Sequence, residues 1–307
     1  MASKFKKAAP RQRKGSSKKQ RKSRSAFQRF AISFTTTATT VFTLVSGVLH
    51  PQWVDTLIHP PFLSQLGWPR LGHRAPSGPV ATNATVARFA QCPQFFPQGP
   101  LPQLPAGQHL RELCFSAFAV LHNGQTKTPL LVVERLNRAM LVQAQKLQRT
   151  DKFYAEARLP RAERAELEDY RGSGYSRGHL APAANMSTLE AMAQSFSLAN
   201  MVPQNQTHNA GAWSKVEQDT RKYVMRAAGD VFVYTGALFD GVLGTVGQGK
   251  VAVPSELFKL VYDATTGKAW AHVQANRAET RAGAPLRYAD FVQHTGLHLL
   301  SSDLLRP

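Results

Sequence analysis

The sequence predicts an α+β domain built on a mainly antiparallel sheet, behind a long N-terminal extension. Strand-like segments occur in two groups, and one long helical segment, residues 209–228, separates them. Strands followed by a helix and then by more strands favour this class over a doubly wound parallel sheet. A hydrophobic fraction of 43% in a chain of 307 residues is sufficient for a buried core, which excludes a wholly disordered protein.

The first group of strands predicts an opening hairpin. Residues 113–121 alternate and are rich in aromatic side chains, and residues 129–135 (PLLVVER) are apolar. Asn123 and Gly124, which lie between them, form a dipeptide typical of hairpin turns. Residues 161–169 have a helical composition, and the glycine-rich YRGSGY at 170–175 leads into the next motif.

The second half of the chain begins with the long helix. Its apolar residues recur at helical spacing over 209–228. Four strands are predicted after it, at 231–238, 250–254, 257–262 and 269–275, and a late helix at 285–294.

The charge is divided unevenly along the chain. Lys and Arg number 38 against 19 Asp and Glu, and twelve of the basic residues, with no acidic one, lie in residues 1–29. The other 278 residues carry 26 basic and 19 acidic side chains, a net charge of +7. This excludes a uniformly basic protein of the histone type. Residues 1–30 are predicted to be a disordered tail, which either sets membrane topology or binds anionic lipid or nucleic acid by charge alone.

Residues 31–54 contain no charged side chain and are about as long as one membrane span. Preceded by positive charge, they predict a membrane anchor or a cleaved signal segment, with the body exported. A bacterial cell envelope, membrane-anchored, periplasmic or secreted, is the first expectation. A mitochondrial intermembrane space is the alternative. Residues 55–90 are rich in Pro and Gly and are predicted to be a linker, so the folded domain is expected at 91–307.

The chain has two cysteines, which excludes a disulfide-dense scaffold and a four-cysteine zinc site. Because the body is expected outside the cytoplasm, Cys92 and Cys114 are predicted to form a disulfide. The alternative is two separate buried thiols.

Two stretches carry the chemistry. The first is YSRGHLAPAANM at 175–186, and the second is NMVPQNQTHNAGAWSKVEQDTR at 200–221. Asn209, Trp213, Glu217 and Arg221 are spaced four apart, so one helix would stack them on a ridge. An amide, a carboxylate and a guanidinium beside Arg-Gly-His suit phosphate chemistry. Alternatively, Glu217 and Arg221 are an ordinary ion pair and Asn209 is only a helix cap.

These two motifs, RGH-LAP-A followed by NxxPQ-x4-N-x3-W-x3-E, resemble the DNA/RNA non-specific endonuclease family. The resemblance covers roughly residues 90–305. It implies a ββα-metal nuclease core with flanking helices, so that 91–307 would be the nuclease domain. It also implies Mg²⁺-dependent hydrolysis of phosphodiester bonds in DNA and RNA without sequence preference, with Mn²⁺ as the alternative ion. Members are often dimers, so a homodimer is a further expectation.

The resemblance also implies residue roles. His179 matches the general base that takes a proton from the attacking water, and Asn209 matches the one direct protein ligand of the cation. Glu217 matches a residue that holds metal-bound water. The remaining matches lie around the phosphate: Arg177 and Arg221 contact it, Asn200 stands near the site, and Arg149 is the upstream phosphate-contacting arginine.

Two positions depart from the family pattern. Ser176 stands where the family usually has Asp before Arg-Gly-His, and Asn185 stands where it often has Asp. Both changes remove negative charge near the expected cation. They favour an alternative hypothesis, in which the protein is membrane-tethered, catalytically weak or inactive, and binds nucleic acid in capture or uptake. A third hypothesis is a phosphodiesterase for another polyanion or a small nucleotide.

Overall fold

The computed structural model describes residues 89–98, 104, 107–239 and 243–306. The tail predicted at 1–30, the anchor or signal segment at 31–54 and nearly all of the linker predicted at 55–90 lie outside these residues. Within the described part of the chain, no helix combines the length and apolar character that a membrane crossing requires.

The described chain opens with a three-stranded meander rather than a two-stranded hairpin. Strand β1 is Leu110–Cys114, β2 is Phe118–Asn123 and β3 is Thr128–Leu136. The single strand predicted at 113–121 is therefore wrong, since a tight turn closed by the Phe115 N–H and the Phe118 carbonyl, 2.9 Å apart, interrupts it. Both phenylalanine side chains are buried, so the aromatic pattern continues through the turn and hides it.

The later strands of the main sheet are β6 (Val231–Leu238), β9 (Glu256–Asp263), β10 (Lys268–Ala275) and β11 (Leu286–Arg287). With the first three strands they form a seven-stranded sheet in the order β1-β2-β3-β6-β9-β10-β11, and all its pairs are antiparallel. This confirms the predicted class. Two small antiparallel pairs stand apart from it: β4 (Tyr175–His179) with β5 (Met201–Asn205), and β7 (Thr245–Val246) with β8 (Val251–Ala252).

The helices are α1 (Arg138–Ala144), α2 (Leu167–Tyr170), α3 (Leu189–Gln194), α4 (residues 206–224) and α5 (Tyr288–Thr295). The helix predicted at 161–169 is wrong as one element, because it is a 3₁₀ turn, Arg161–Glu163, followed by the short α2. Its acidic residues form a capping box, in which the Glu166 N–H donates to the Asp169 carboxylate at 2.9 Å. The helix predicted at 285–294 is mainly α5, preceded by β11.

The two faces of the large sheet pack against different partners. One face packs against α5 and the segment around Phe95. The other face, through Val132 and Leu257, packs against Trp213 of α4 and Leu180, which follows β4. The elements that carry both sequence motifs therefore share one side of the sheet.

The predicted disulfide between Cys92 and Cys114 is confirmed. It ties the start of the described chain to β1, the edge strand of the sheet. Together with Phe89 and Phe95, Cys92 belongs to the core on the face opposite the two motifs.

Candidate active site

Strand β4 presents the Arg-Gly-His motif. It pairs with β5 so that His179 lies opposite Met201 and Arg177 opposite Pro203. Gly178, between them, lies against the side chain of Gln204, which leaves no room for a Cβ atom. Glycine is therefore required here by the close approach of the two strands.

Asn200 fixes the chain as it leaves His179. Its side-chain oxygen accepts the Ala181 N–H at 2.9 Å, and its side-chain nitrogen donates to the carbonyls of Ala181 and Ser195, both at 2.9 Å. The Asn200 backbone carbonyl also accepts the Leu180 N–H at 3.0 Å. The side chain is fully buried and engaged with backbone, so its place fits a positioning residue and not a group that contacts substrate.

The imidazole of His179 lies among aromatic rings. Its centroid is 5.1 Å from that of Phe196 and 5.8 Å from that of Phe153. Its Nε2 atom is buried without a hydrogen-bond partner. Burial lowers the pKa of His179 to about 3, with the nearby positive charge of Arg149 acting in the same direction. The ring is therefore neutral at physiological pH, the form that can accept a proton.

Two predicted phosphate-contacting arginines flank this ring through the same phenylalanines. The guanidinium of Arg177 lies 4.5 Å from the Phe153 ring centroid, and that of Arg149 lies 5.0 Å from the Phe196 centroid. Arg149 also pairs with Asp151 at 2.6 Å on the surface. The structure thus places Arg149, like Arg177, on a phenylalanine whose ring packs against that of His179.

Helix α4 begins earlier than predicted. Asn205 caps it, with its side-chain oxygen accepting the N–H groups of Thr207 and His208 at 3.0 and 3.1 Å. Asn209 is therefore not the cap, and the cap alternative is wrong. Asn209 instead opens a π-helical segment, Asn209–Trp213, that precedes the regular helix Ser214–Val224.

A π-helical segment lies at the start of the predicted ridge. The extra residue in this turn alters the i,i+4 relation between Asn209 and Trp213, whereas the residues from Trp213 onward continue into the regular helix. Trp213 is 1% exposed and belongs to the core, whereas Asn209, Glu217 and Arg221 are half-buried. Trp213 nevertheless lies next to Glu217, so the predicted i,i+4 contact is kept at that step, and the ridge of four residues as a whole stays a prediction.

Glu217 and Arg221 are not paired with each other. Among the ion pairs of the described residues none joins them, and the Arg221 guanidinium instead donates to the Asn185 side-chain oxygen at 3.4 Å. The alternative of an ordinary i,i+4 pair is therefore wrong. Burial raises the pKa of Glu217, while the positive charges of Lys259, Arg221 and Arg149 oppose that rise. Arg149 is thus near enough for its charge to act on the pKa of both Glu217 and His179.

A buried charged network lies beneath this location. Asn185 donates from Nδ2 to Glu134 at 3.0 Å, and Lys259 donates to Thr235 at 2.6 Å and to the Leu180 carbonyl at 3.5 Å. Glu134 and Lys259 are each 1% exposed. Thr235 and Lys259 lie directly opposite each other on β6 and β9, so the network is rooted in the sheet.

Sequence reasoning missed both charged members of this network. Glu134 stands in β3 (TPLLVVERL) and Lys259 in β9 (ELFKLVYD), strands that are otherwise mainly apolar. A single charge at an inward-facing position of a buried strand is rare unless it has a partner. That pattern was the available signal, although it could not say which charges meet.

The donor set fits a hard cation better than zinc. In the described part of the chain, no three His, Cys, Asp or Glu side chains cluster as a metal site. Asn209 offers an amide oxygen and Glu217 a carboxylate, and oxygen ligands suit Mg²⁺, which keeps most of its waters. Eight residues of helix separate them by roughly 12 Å, so both cannot readily be direct ligands of one ion. One direct ligand with a carboxylate acting through water fits this spacing.

The chain is similar to known proteins in sequence and in fold. The sequence profile described as DNA/RNA non-specific endonuclease matches residues 100–294. The mitochondrial nuclease EXOG of Xenopus laevis is 38% identical over 154 residues, 47% of this chain and 42% of that protein. Mitochondrial endonuclease G of Bos taurus is 33% identical over 214 residues, 65% of this chain and 70% of that protein.

The chain spans less than half the length of the EXOG relatives that it matches. A crystal structure of the EndoG/EndoGI complex shares the fold, with a TM-score of 0.58 at 22% identity, over 73% of this chain and 96% of that one. With a profile match that covers most of the chain, the protein belongs to the DNA/RNA non-specific endonuclease family.

Proposed function

We propose that this protein hydrolyses phosphodiester bonds of DNA and RNA without sequence preference, with His179 as the general base. The observation that carries the proposal is a neutral, buried imidazole whose two neighbouring phenylalanine rings each carry an arginine. A proton acceptor close to positive charge suits the attack of water on a phosphodiester.

Each side chain has a part in this reaction. Arg149 and Arg177 hold the scissile phosphate beside the ring, and Arg221 faces the charge that develops on it. His179 takes the proton of the attacking water. Asn209 would hold one Mg²⁺, or Mn²⁺, and Glu217 would orient the water around it. When bound, the ion supplies positive charge to the phosphate and to the leaving oxygen.

Indifference to sequence follows from the same residues. Arginines and a metal ion address phosphate, which is identical at every nucleotide and carries no sequence information. Trp213, the tryptophan of the second motif, is buried in the core and is not available to stack on a base.

A plasmid-nicking assay with saturating Mg²⁺ or with EDTA tests the proposal. Wild type should nick supercoiled plasmid and degrade RNA only with metal, and His179→Ala should lose both activities. His298→Ala, at an exposed histidine, is the matched control and should cleave like wild type. If wild type leaves the plasmid intact at saturating metal, the proposed nuclease activity is refuted.

The alternative is a weak or inactive protein that binds nucleic acid at a membrane, and Ser176 and Asn185 favour it. The position of Asn185 weakens that case, because its amide is buried and bonded to Glu134 and Arg221. Tight filter binding of RNA in EDTA together with no cleavage in Mg²⁺ would favour the alternative. Membrane attachment through residues 31–54 and a homodimer stay predictions.

Several relatives are mitochondrial nucleases, which favours the mitochondrial alternative over a bacterial cell envelope for this chain. A disulfide at Cys92 and Cys114 suits either compartment if it is oxidising. Import of a fusion that carries residues 1–60 and a reporter into isolated mitochondria tests the mitochondrial destination. A fusion that remains outside would count against it.

A further inference from the structure

A groove of about 650 Å³ opens beside the candidate site. Helix α1 and helix α4 form its walls, and the turn after β4 closes one end with Ala183 and Ala184. Arg149 and Arg221 line it as well, so the groove is continuous with the phosphate-contacting arginines of the site.

The charged lining of the groove is entirely positive. Beyond Arg149 and Arg221 it adds Lys222 and Arg226, and none of the described lining residues is acidic. Lys222 also contacts Asp219 at 3.4 Å, whereas Arg226 is exposed and enters no ion pair among the described residues. The cations continue from Arg221 to Arg226, just past the end of α4, and a second phosphate of a polyanion fits them.

The floor of the groove is apolar and adaptable. Leu141 and Met192 are buried beneath it, and Met225 lies half-buried at the far end. Methionine side chains are flexible and adjust to differently shaped partners. The lining offers Gln145 and Gln218 as its neutral hydrogen-bonding side chains, which is little for reading a base. The floor can therefore accept any base or sugar.

We propose that this groove binds the nucleotide that flanks the scissile phosphate on one side, with its phosphate on Lys222 and Arg226 and its base on the methionine floor. The inference rests on the proposed function and deepens it. The groove volume lies within the range of roughly 300–1,000 Å³ that is usual for small-molecule sites, so one nucleotide fits. Cleavage of long substrates therefore depends on contacts that a minimal diester does not make.

The test compares a 12-nucleotide single strand with bis(p-nitrophenyl) phosphate, a diester too short to reach the groove. The double variant Lys222→Ala/Arg226→Ala should raise KM for the 12-mer roughly tenfold, the loss expected when charge-assisted contacts are removed. Its rate on the short diester should not change. The slope of log KM against log salt should fall by roughly 1 to 2, one for each lost phosphate contact.

Two further variants sharpen the result. Met225→Asp places a negative charge on the floor and should raise KM for the 12-mer at least as much. Lys268→Ala, which removes an exposed lysine outside the groove lining, is the control and should leave the KM and the salt slope unchanged. Equal effects of the groove and control variants, or an equal loss on both substrates, would overturn the proposal.

The experiments distinguish failure of the groove proposal from failure of the catalytic proposal. If wild type cleaves neither substrate, the catalytic proposal fails, and the groove is then tested by 12-mer affinity in EDTA with the same variants. If wild type cleaves both substrates and the double variant matches it on the 12-mer, the groove proposal fails alone.

Discussion

Replacing Glu134 by glutamine removes a buried ionisable group and keeps its shape. The Oε1 atom accepts from Asn185 at 3.0 Å, which an amide oxygen can also do, and Oε2 is buried without a partner. Burial raises the pKa of Glu134 from 4.5 to about 7, although the positive charge of Lys259 opposes the rise.

The sign of the stability change follows from this direction. A carboxyl with a pKa higher in the folded state than in the unfolded chain stabilises the fold while it is protonated. That stabilisation is lost as pH rises from the unfolded pKa of 4.5 through about 7. Linkage gives a loss of about 2–3 kcal/mol between pH 5 and pH 8 from this group alone. Glu134→Gln does not ionise, so its stability relative to wild type should improve by that amount over the same interval.

Urea unfolding of both proteins at pH 5, 6, 7 and 8, with the disulfide intact, measures the difference. The comparison uses only the way in which the difference in unfolding free energy between variant and wild type changes with pH. Any pH-independent cost of the new amide therefore cancels. The matched control is Glu190→Gln, at an exposed carboxylate, which should stay within about 0.5 kcal/mol throughout. If the unfolding free energy of Glu134→Gln relative to wild type does not change with pH, or falls as pH rises, the buried position of this carboxyl is refuted.

Three further outcomes are expected. Asn209→Ala should abolish metal-dependent cleavage and leave Tm nearly unchanged in a melting curve, because Asn205 and not Asn209 caps the helix; a large drop in Tm would show a structural role. The acid limb of kcat/KM should lie below pH 5, because burial holds the pKa of His179 near 3, and a limb at pH 6.5 would contradict that environment. Changing Cys92 and Cys114 to serine opens a 22-residue loop and should cost about 3 kcal/mol in urea unfolding, whereas an unchanged midpoint would mean that the bridge adds nothing.

The fold class could be predicted because apolar periodicity survives in the strands that form the centre of the sheet. The strand predicted at 231–238 matches β6 residue for residue, and β9 and β10 differ from prediction by two residues or fewer at each end. The errors arose where the same residues serve another purpose. Around Phe115 the aromatic pattern crosses a turn, and at Glu166 the acidic residues cap a short helix and do not extend a long one.

The site could be predicted in part, because motif spacing identifies residues that are close in the chain. His179 ends β4 and Asn200 directly precedes β5, so their closeness follows from the pairing of these two strands. Lys259 and Glu134 lie 125 positions apart in the sequence, and no local pattern says that they share a cluster. The π-helical segment that begins at Asn209 could not be predicted either, because the predicted ridge assumed a regular helix with four-residue spacing.

The two departures from the family pattern have different structural consequences. Ser176 lies on β4 opposite Gln204, next to the Arg-Gly-His residues, so its missing charge would be felt beside the site. Asn185 lies in the interior, where an aspartate would face Glu134 at hydrogen-bond distance, and two carboxylates so close could not both ionise. The amide instead donates to Glu134 and accepts from Arg221, so that the nearest carboxyl group lies one contact deeper than position 185. Asparagine at this position is thus a substitution that the buried network accommodates, and its side chain joins the Glu134 carboxyl to the Arg221 guanidinium.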